Sequence, residues 1–444
     1  MTAILPETMR RGACPSLSAP MQTGDGLLCR AALTAPASPR ALVSLCAAAL
    51  RHGNGILDIS ARGNLQARGL TPESACLFEH EARTFGLPLR DGIAIDTGPL
   101  AGLDAAEEAD PRPLAEAIRQ GVAERGLAPR LAPKTAVVVD GGGRLPLSAL
   151  LADIRLRAVK NAGWLLFTGG PERPDAAHGL LTANDAVETA LILLSQMAEK
   201  GRRFRGRDFG ADAVRALAGA RLAPARPAPV PAGDPKPFGL FALNDGKTAF
   251  GIAPAFGQVR AETLIGFLHA AEAAGIEAIR PAPGHALLLI GAPAACAAME
   301  KAAESAGFLT RADDPRAAIA VCPGQPACTS ALFDTHALAA EAARLPRLLD
   351  GSFTLHISGC AKGCAHPEPA LIALSGQPDG IAFAFDGKAG APPTASLAID
   401  QAAETLRTLS ALVELRREAG ETAARCLRRL GPAGIAPALT KGTS

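Results

Sequence analysis

The sequence predicts an α+β protein built from two related halves. The order strand, helix, strand occurs twice along the chain. It covers residues 27–30, 39–51 and 56–62 in the first copy, and 250–253, 261–274 and 276–280 in the second. A proline-rich segment, 222–238, separates the copies. The chain has 444 residues, more than one core usually accommodates, so we expect a pseudo-twofold molecule of several domains.

In the first copy, the apolar face of helix 39–51 is followed by Gly53 and Gly55, which are expected to end it. Residues 56–62 alternate in the manner of a half-buried strand, and 63–69 are expected to extend that strand. The segment 135–139 predicts another strand.

A triple glycine, 141–143, follows that strand. It lacks the flanking pattern of a phosphate-binding loop, which indicates a tight turn. Residues 183–200 predict a strong helix, with Thr182 and Asp185 placed as in a capping box.

In the second half, residues 286–291 predict a strand that completes the repeat. Two further buried strands are predicted at 317–321 and 353–358, with a helix between them. Helices at 399–418 and 421–429 are predicted to close the chain.

Two short cysteine loops carry the clearest chemical signal. They are Cys322-Pro-Gly-Gln-Pro-Ala-Cys328 and Cys360-Ala-Lys-Gly-Cys364. Each follows a predicted buried strand, so the thiols are expected to gather where neighbouring strands end. Gathered thiolates bind metal, and these spacings favour an iron-sulfur cluster over zinc, which prefers tighter C-x2-C pairs. Zinc and ordinary buried thiols remain as alternatives.

The other cysteines lie singly and are expected to be ordinary buried thiols. They are Cys14, Cys29, Cys46, Cys76, Cys296 and Cys426.

Composition excludes some classes of function. A net charge of +2, a single Trp and no Tyr argue against a general nucleic-acid binder. Residues 1–11 lack the apolar stretch of a signal peptide, and no run of about eighteen apolar residues occurs. We therefore expect a cytoplasmic protein without a membrane partner, whose cysteines are thiols or ligands rather than disulfides.

Several segments together resemble the sulfite/nitrite reductase superfamily. They are Ile-Ser-Ala-Arg-Gly-Asn-Leu-Gln at 59–66, the repeat of its strand-helix-strand unit after the proline-rich segment, and the two cysteine loops. Three further segments look most like the precorrin-3B synthase family of aerobic cobalamin biosynthesis. They are Ser-Gly-Cys-Ala-Lys-Gly-Cys-Ala-His-Pro at 358–367, Asp-Gly-Gly-Gly-Arg-Leu at 140–145 and Gly-Asn-Gly at 53–55. The similarity runs from about residue 12 to residue 369.

The resemblance implies a duplicated sulfite/nitrite reductase-like fold, with ferredoxin-like half-domains and two α/β parts that bind a cluster and a tetrapyrrole. The expected limits are 12–100 for the first ferredoxin-like half-domain, 101–221 for the first α/β part, 222–238 for the linker, 239–308 for the second half-domain and 309–444 for the iron-sulfur-binding part.

Site residues follow from the same resemblance. The expected ligands of a 4Fe-4S cluster are Cys322, Cys328, Cys360 and Cys364. Arg30, Arg62 and Lys134 correspond to cations that bind tetrapyrrole carboxylates, for which the planar Arg fork is well suited. Each of these cations could instead be an ordinary surface charge.

Four other side chains lie near the segments that carry the resemblance. Arg68 and Arg280 are weaker candidates for substrate binding. His366 follows the last cysteine closely enough to face the pocket, although a structural role is equally consistent with its position. His356 lies inside a strand and is interpreted as structural.

The chain departs from the reductase pattern at three places. Ala32 and Ala136 stand where reductases carry a second Arg and a second Lys. A small anion such as sulfite needs concentrated positive charge, so these losses weaken a reductase assignment while leaving the tetrapyrrole pocket. The usual Pro-Gly-Gly after the first strand is replaced around residues 34–36.

By resemblance, the activity is an O2-dependent hydroxylation of precorrin-3A at a meso carbon, with a lactone formed from a ring acetate. NADH would be the electron source, and the cluster would pass electrons singly. The first alternative is a sirohaem-dependent sulfite or nitrite reductase, and the second is a redox-sensing or zinc-stabilised module without enzyme activity.

The sequence is also compatible with an additional non-haem iron and with a partner reductase as the direct electron donor, and it singles out no catalytic residue. An internally duplicated chain mimics a dimer, so a monomer is expected.

Overall fold

The computed structural model describes residues 15–224 and 236–440, which form four sheets with helices packed on them. The signal-peptide prediction for 1–11, the prediction for Cys14 and most of the predicted linker lie outside the described residues.

The first half contains two sheets in succession. Its elements are β1 (Met21–Thr23), β2 (Gly26–Ala31), α1 (Pro39–His52), β3 (Ile56–Ile59), β4 (Leu65–Leu70), α2 (Pro72–Thr84), β5 (Ala94–Thr97), α3 (Arg112–Glu124), β6 (Ala136–Asp140), β7 (Ala152–Val159), β8 (Gly163–Gly170), β9 (Gly179–Leu181), α4 (Ala183–Lys200) and α5 (Ala211–Ala218).

The second half repeats this series with one additional strand. Its elements are β10 (Gly239–Ala242), β11 (Thr248–Ile252), β12 (Gln258–Arg260), α6 (Ala261–Ala273), β13 (Ile276–Ala282), β14 (Ala286–Gly291), α7 (Pro293–Ser305), β15 (Ile319–Val321), α8 (Thr335–Ala342), β16 (Leu355–Ser358), β17 (Ala370–Gln377), β18 (Gly380–Gly387), β19 (Ala395–Leu397), α9 (Ala402–Arg416) and α10 (Ala423–Thr440).

Sheet topology shows the duplication directly. The antiparallel order β1-β2-β4-β3 in the first half matches β10-β11-β14-β13 in the second. The order β5-β6-β7-β8-β9 likewise matches β15-β16-β17-β18-β19, and in both sheets the first three strands are parallel and the rest antiparallel. The prediction of two related halves is confirmed, and the domain limits drawn from the sequence remain a prediction.

Backbone pairing between strands and loops of the two halves joins them. Strand β12 pairs with β3 of the first half, so that Gln258 lies opposite Asp58. In return, Ala37 and Ile279 exchange backbone hydrogen bonds of 2.9 and 2.7 Å. Helices α1 and α6 bury their apolar faces in one common core, which therefore belongs to both halves.

The predicted helices α1 and α4 form as expected. Ser38 caps α1 by accepting from the Ala41 N–H at 3.2 Å, and Gly53 ends that helix. Thr182 caps α4 by accepting from the Asp185 N–H at 3.2 Å. In a capping box the Asp185 carboxylate would accept from the Thr182 backbone N–H. Here it accepts from the Thr182 hydroxyl instead, at 2.7 Å.

One strand prediction is wrong at its end. Strand β3 stops at Ile59, and residues 60–64 turn the chain into the antiparallel strand β4 instead of extending β3. Gly63 has φ +76°, and a Cβ there would lie 2.5 Å from the carbonyl carbon of Ala282, so only glycine fits this turn. Arg62 consequently lies in a turn rather than in a strand.

Other boundaries shift by a few residues. A short 3-10 turn, Pro315–Ala318, delays the start of β15, and β16 begins at Leu355. Helix α10 runs well past its predicted end, with a break at Gly431, where φ is +61°. The triple glycine forms the predicted tight turn, in which the Asp140 carboxylate accepts from the Gly142 N–H at 2.9 Å.

Candidate functional site

The two cysteine loops begin at the same edge of the same sheet. Strands β15 and β16 are parallel neighbours, with Val321 opposite Ile357, so each loop follows the carboxyl end of its strand. The Gly359 N–H donates to the Cys322 Sγ at 3.1 Å, which couples the second loop to a thiol of the first. Because β15 and β16 are adjacent and parallel, both loops leave the sheet at the same edge, as the sequence predicted.

The first loop is fixed against the start of α8. Gly324 has φ +62°, and a Cβ there would lie 2.2 Å from the Thr335 hydroxyl. That hydroxyl donates to the Cys322 carbonyl at 2.7 Å, and the Cys328 N–H donates to the Gly324 carbonyl at 2.7 Å. These contacts hold the loop in a compact turn against the first residue of α8.

All four loop thiols line one cavity of about 1750 Å³, called here the large cavity. Cys322 is buried, Cys328 and Cys360 are half-buried, and Cys364 is exposed. Lys362 donates to the Ser330 hydroxyl at 3.1 Å across the mouth between the loops. The large cavity is bounded by the first ferredoxin-like unit, the β5–β9 sheet and the cysteine loops.

The three cations implied by the resemblance also line the large cavity. The Arg30 side chain meets the Gln66 amide, which is oriented so that its oxygen accepts from Nε and Nη2 at 2.9 and 2.8 Å. Arg62 donates to the Asp96 carboxylate at 2.9 Å and to the Leu151 carbonyl at 2.7 Å, and part of its charge is thus balanced.

Lys134 differs from the two arginines in its exposure. It is exposed to solvent and lines the large cavity, two residues before the start of the buried strand β6. Its carbonyl accepts from Arg205 at 3.0 Å, so its backbone is held while its side chain faces the solvent.

Arg68 is buried, with 2% of its side chain exposed, and its fork is fully engaged. It forms a bidentate pair with Asp25, at 3.0 and 2.8 Å, and donates to Asp58 at 2.8 Å. Its Nη2 also donates at 3.1 Å to the carbonyl of Ala327 in the first cysteine loop. Arg68 therefore anchors the loop to the first half instead of offering a free cation.

Arg280 does not line the large cavity among the described residues. It donates to the Thr34 carbonyl at 3.0 Å, which connects the two halves, and burial lowers its pKa to about 10. This contact gives it a structural role.

Further cations of the large cavity were missed from the sequence. They are Arg83, Arg90, Arg173, Arg205, Arg207 and Lys362. The basic run 202–207 was a detectable signal for two of them. Arg205 is held by both oxygens of Asp153, each at 2.8 Å, whereas the Arg207 side chain is 74% exposed.

Ala32 and Ala136 also line the large cavity. Both are buried, and each presents a methyl group where the reductase pattern would place a cation. The departures noted in the sequence thus lie on the cavity wall.

A row of polar side chains crosses the first sheet beneath the large cavity. Arg30 lies opposite Gln66, which lies opposite Asp58, which lies opposite Gln258 of the second half. The Gln258 amide donates to Asp58 at 2.9 Å. The same row of side chains lines a second cavity, of about 600 Å³, which Cys322 also lines.

The two histidines near the loops lie together. The His356 and His366 rings meet edge to face, with their centroids 5.7 Å apart. Burial, helped by the nearby His366, lowers the pKa of His356 to about 4. Neither histidine lines the large cavity or the second cavity among the described residues.

Two searches of the described residues gave negative results. Within 15–224 and 236–440, no three His, Cys, Asp or Glu side chains converge as ligands for a single metal ion. In the same ranges, no helix is long and apolar enough to cross a membrane.

Comparison with known proteins identifies relatives of the chain. No family model matches it. A precorrin-3B synthase from Sinorhizobium sp is 42% identical over 446 residues, covering 98% of this chain and 96% of that protein. Sulfite reductase (ferredoxin) 2 from Mycolicibacterium paratuberculosis is 29% identical over 161 residues, covering 34% of this chain and 29% of that protein.

The solved structures include a protein of the same fold. The NirA protein of Mycobacterium tuberculosis superposes with a TM-score of 0.71 at 21% identity, covering 92% of this chain and 84% of that chain. This likeness confirms the duplicated fold that the sequence predicted. Because the 42% identity extends over nearly the full length of both proteins, the chain belongs to the precorrin-3B synthase family.

Proposed function

We propose that this chain catalyses the reaction for which its family is named, the formation of precorrin-3B from precorrin-3A. The proposal is carried by the near full-length relative together with a large cavity lined by the four loop thiols and many cations. One oxygen atom of O2 would enter a meso carbon of the macrocycle and the other would leave as water. A ring acetate would then close a lactone.

The substrate is a tetrapyrrole with several carboxylates, which this cavity suits in charge. Arg30, Arg62 and Lys134 would bind those carboxylates, joined by the exposed Arg173 and Arg207. Guanidinium groups bind carboxylates through two parallel hydrogen bonds, which fixes the plane of the macrocycle as well as its position.

A 4Fe-4S cluster would be held by Cys322, Cys328, Cys360 and Cys364. The donors fit such a group: the loops start at one sheet edge, and the Gly359 N–H already donates to the Cys322 sulfur. When bound, the cluster supplies one-electron transfer, which protein side chains cannot.

Electrons from NADH would reach the site from the second cavity, directly or through a partner reductase. That cavity touches Cys322 and Cys364, whereas the macrocycle would occupy the large cavity. The proposal includes a cytoplasmic location and a monomeric state, in which the internal duplication takes the place of a dimer interface.

The test is turnover by anaerobically purified protein. Iron, sulfide, zinc and the visible spectrum are measured first, and precorrin-3A is then supplied with reductant and 18O2. The proposal predicts about four irons and four sulfides per chain, no haem bands, and one 18O in the product. A precorrin-3A left unchanged in air by iron-loaded protein would contradict it, and zinc without iron would indicate a non-enzymatic module.

A sirohaem-dependent reductase is the second candidate, favoured by the partial match to a sulfite reductase. It predicts haem bands and six-electron reduction of sulfite or nitrite. The methyl groups of Ala32 and Ala136 on the cavity wall weigh against it.

Ala136→Lys tests the importance of those methyl groups. We expect kcat/KM for precorrin-3A to fall about tenfold or more, because a long cation would occupy space that the macrocycle needs. Steady-state kinetics measures this effect. Ala162→Lys adds the same charge at an exposed turn and should leave kcat/KM unchanged. Equal activities of the two variants would mean that position 136 does not contact the substrate.

A further inference from the structure

Four arginines line a small cavity where the two halves of the molecule meet. Its volume is about 30 Å³, which gives room for about two waters or one small ion. This cavity, called here the arginine cavity, lies between the β3–β4 turn, strand β5, helix α3 and strand β13. The arginines are Arg62, Arg90, Arg119 and Arg280.

Positive charge is in excess around the arginine cavity. Asp96 is the one carboxylate among the described residues that line it, and it accepts from Arg62 and from Arg90 at 2.9 Å each. Arg119 pairs at 2.7 Å with Glu116, whose side chain is 70% exposed to solvent. Four guanidinium groups thus share two carboxylates, and two positive charges remain without a counter-charge.

Arg280 has only neutral hydrogen-bond partners among the described residues. Its Nη1 donates to the Thr34 carbonyl at 3.0 Å, and its Nη2 lies 3.5 Å from the Thr97 hydroxyl, which is the long limit of a hydrogen bond. Burial is the main cause that lowers the pKa of Arg280 to about 10. Because buried cations are normally paired with an anion, this part of the arginine cavity lacks a counter-ion.

We propose that the arginine cavity binds one small inorganic anion, of about the size of chloride, in contact with the Arg280 guanidinium. Arg280 belongs to β13 of the second half, whereas the other three arginines belong to the first half. The anion would therefore compensate charges from both halves and stabilise their contact. The site is separate from the loop thiols and does not depend on the proposed activity.

The arginine cavity adjoins the large cavity, but a wall of ion pairs lies between them. Arg62, Asn64 and Arg90 line both cavities. Both arginines donate to Asp96, which lines the arginine cavity and not the large cavity. A carboxylate of a macrocycle in the large cavity would meet these two arginines before Arg280. The observations therefore favour a free anion over a substrate side chain.

The test measures thermal stability against chloride concentration. Anaerobically purified protein is unfolded by heat in buffers in which chloride replaces gluconate at constant ionic strength, because gluconate is too large for the arginine cavity. We expect a saturable rise in Tm of about 1–3 °C for the wild type. Arg280→Met should lose this chloride dependence, whatever its own Tm. Arg311→Met, which removes an exposed cation paired with Asp313, should keep it.

A direct measurement on the wild type covers the case in which Arg280→Met does not fold. Wild-type crystals soaked in bromide should show an anomalous peak beside the Arg280 guanidinium, and uroporphyrin, a tetrapyrrole with carboxylate side chains, should not displace it. An arginine cavity without bromide, a Tm that chloride leaves unchanged, or equal chloride dependence in Arg280→Met and the wild type would overturn the inference. Displacement by uroporphyrin would also overturn it, by assigning the cavity to a substrate carboxylate. Neither measurement depends on iron or turnover, so a failure of the proposed function would leave this inference intact.

Discussion

Replacing Cys360 with alanine is expected to reduce the iron of the protein from about four per chain to less than about one. The thiol is half-buried on a loop and lines the large cavity, so its loss would remove a ligand of the proposed cluster without creating a hole in the core. Visible absorption of the cluster and turnover of precorrin-3A should both disappear. Iron analysis and the visible spectrum of anaerobically purified protein provide the measurement.

The matched control is Cys76→Ala. Cys76 is also partly accessible, but it lies on α2, outside the cysteine loops. This variant should keep its iron and its spectrum. If Cys360→Ala kept full iron content, or if both variants lost iron equally, the assignment of the loop thiols as ligands would fail.

Local signals in the sequence were enough to predict much of the fold. Helices α1 and α4 carry regular apolar periodicity and clear caps, so their predicted bounds agree closely with the structure. The cysteine loops were also detectable, because their spacing is a property of the chain itself. Duplication was visible because the same pattern of strands and helices returns after a long interval.

Features that depend on distant contacts were missed. Strand β12 has three residues, too few to show alternation, and its partner β3 lies about 200 positions away. The shared core of α1 and α6 could not be predicted for the same reason. Arg62 was placed in a strand because alternation continues past Ile59, whereas the turn depends on the close approach of Gly63 to Ala282.

The cations of the site show the same limit. Sequence resemblance indicated Arg30, Arg62 and Lys134, which all line the large cavity. It did not show that Arg68 is buried against Asp25, which lies 43 positions away, or that Arg62 pairs with Asp96. How much of an arginine's charge is balanced depends on such partners, which only the folded arrangement reveals.

Arg68→Met is expected to lower the free energy of unfolding by about 3–5 kcal/mol. The guanidinium is buried, and its removal leaves Asp25 and Asp58 without their shared counter-ion. It also removes the hydrogen bond to Ala327 in the first cysteine loop. Anaerobic urea denaturation measures the stability, and the iron content of the same samples measures the effect on the loop.

The control for this substitution is Arg215→Met. Arg215 pairs with Asp212 at 2.9 Å on α5, with 63% of its side chain exposed. Exposed pairs of this kind contribute about 1 kcal/mol or less. Comparable losses of stability in Arg68→Met and Arg215→Met would contradict the anchoring role of Arg68.

The pH dependence gives an independent test of the same ion pair. Burial alone would raise the pKa of Asp25, but the hydrogen bonds and charge of Arg68 outweigh burial and hold that pKa below its usual value. A carboxylate with a depressed pKa in the folded state stabilises the fold above its unfolded pKa of about 4, and this contribution disappears as the pH falls through the folded value. The stability difference between wild type and Arg68→Met should therefore be largest near neutral pH and decrease below about pH 4. A difference that stays constant across this range would show that lost packing, rather than the buried charge pair, accounts for the effect of the substitution.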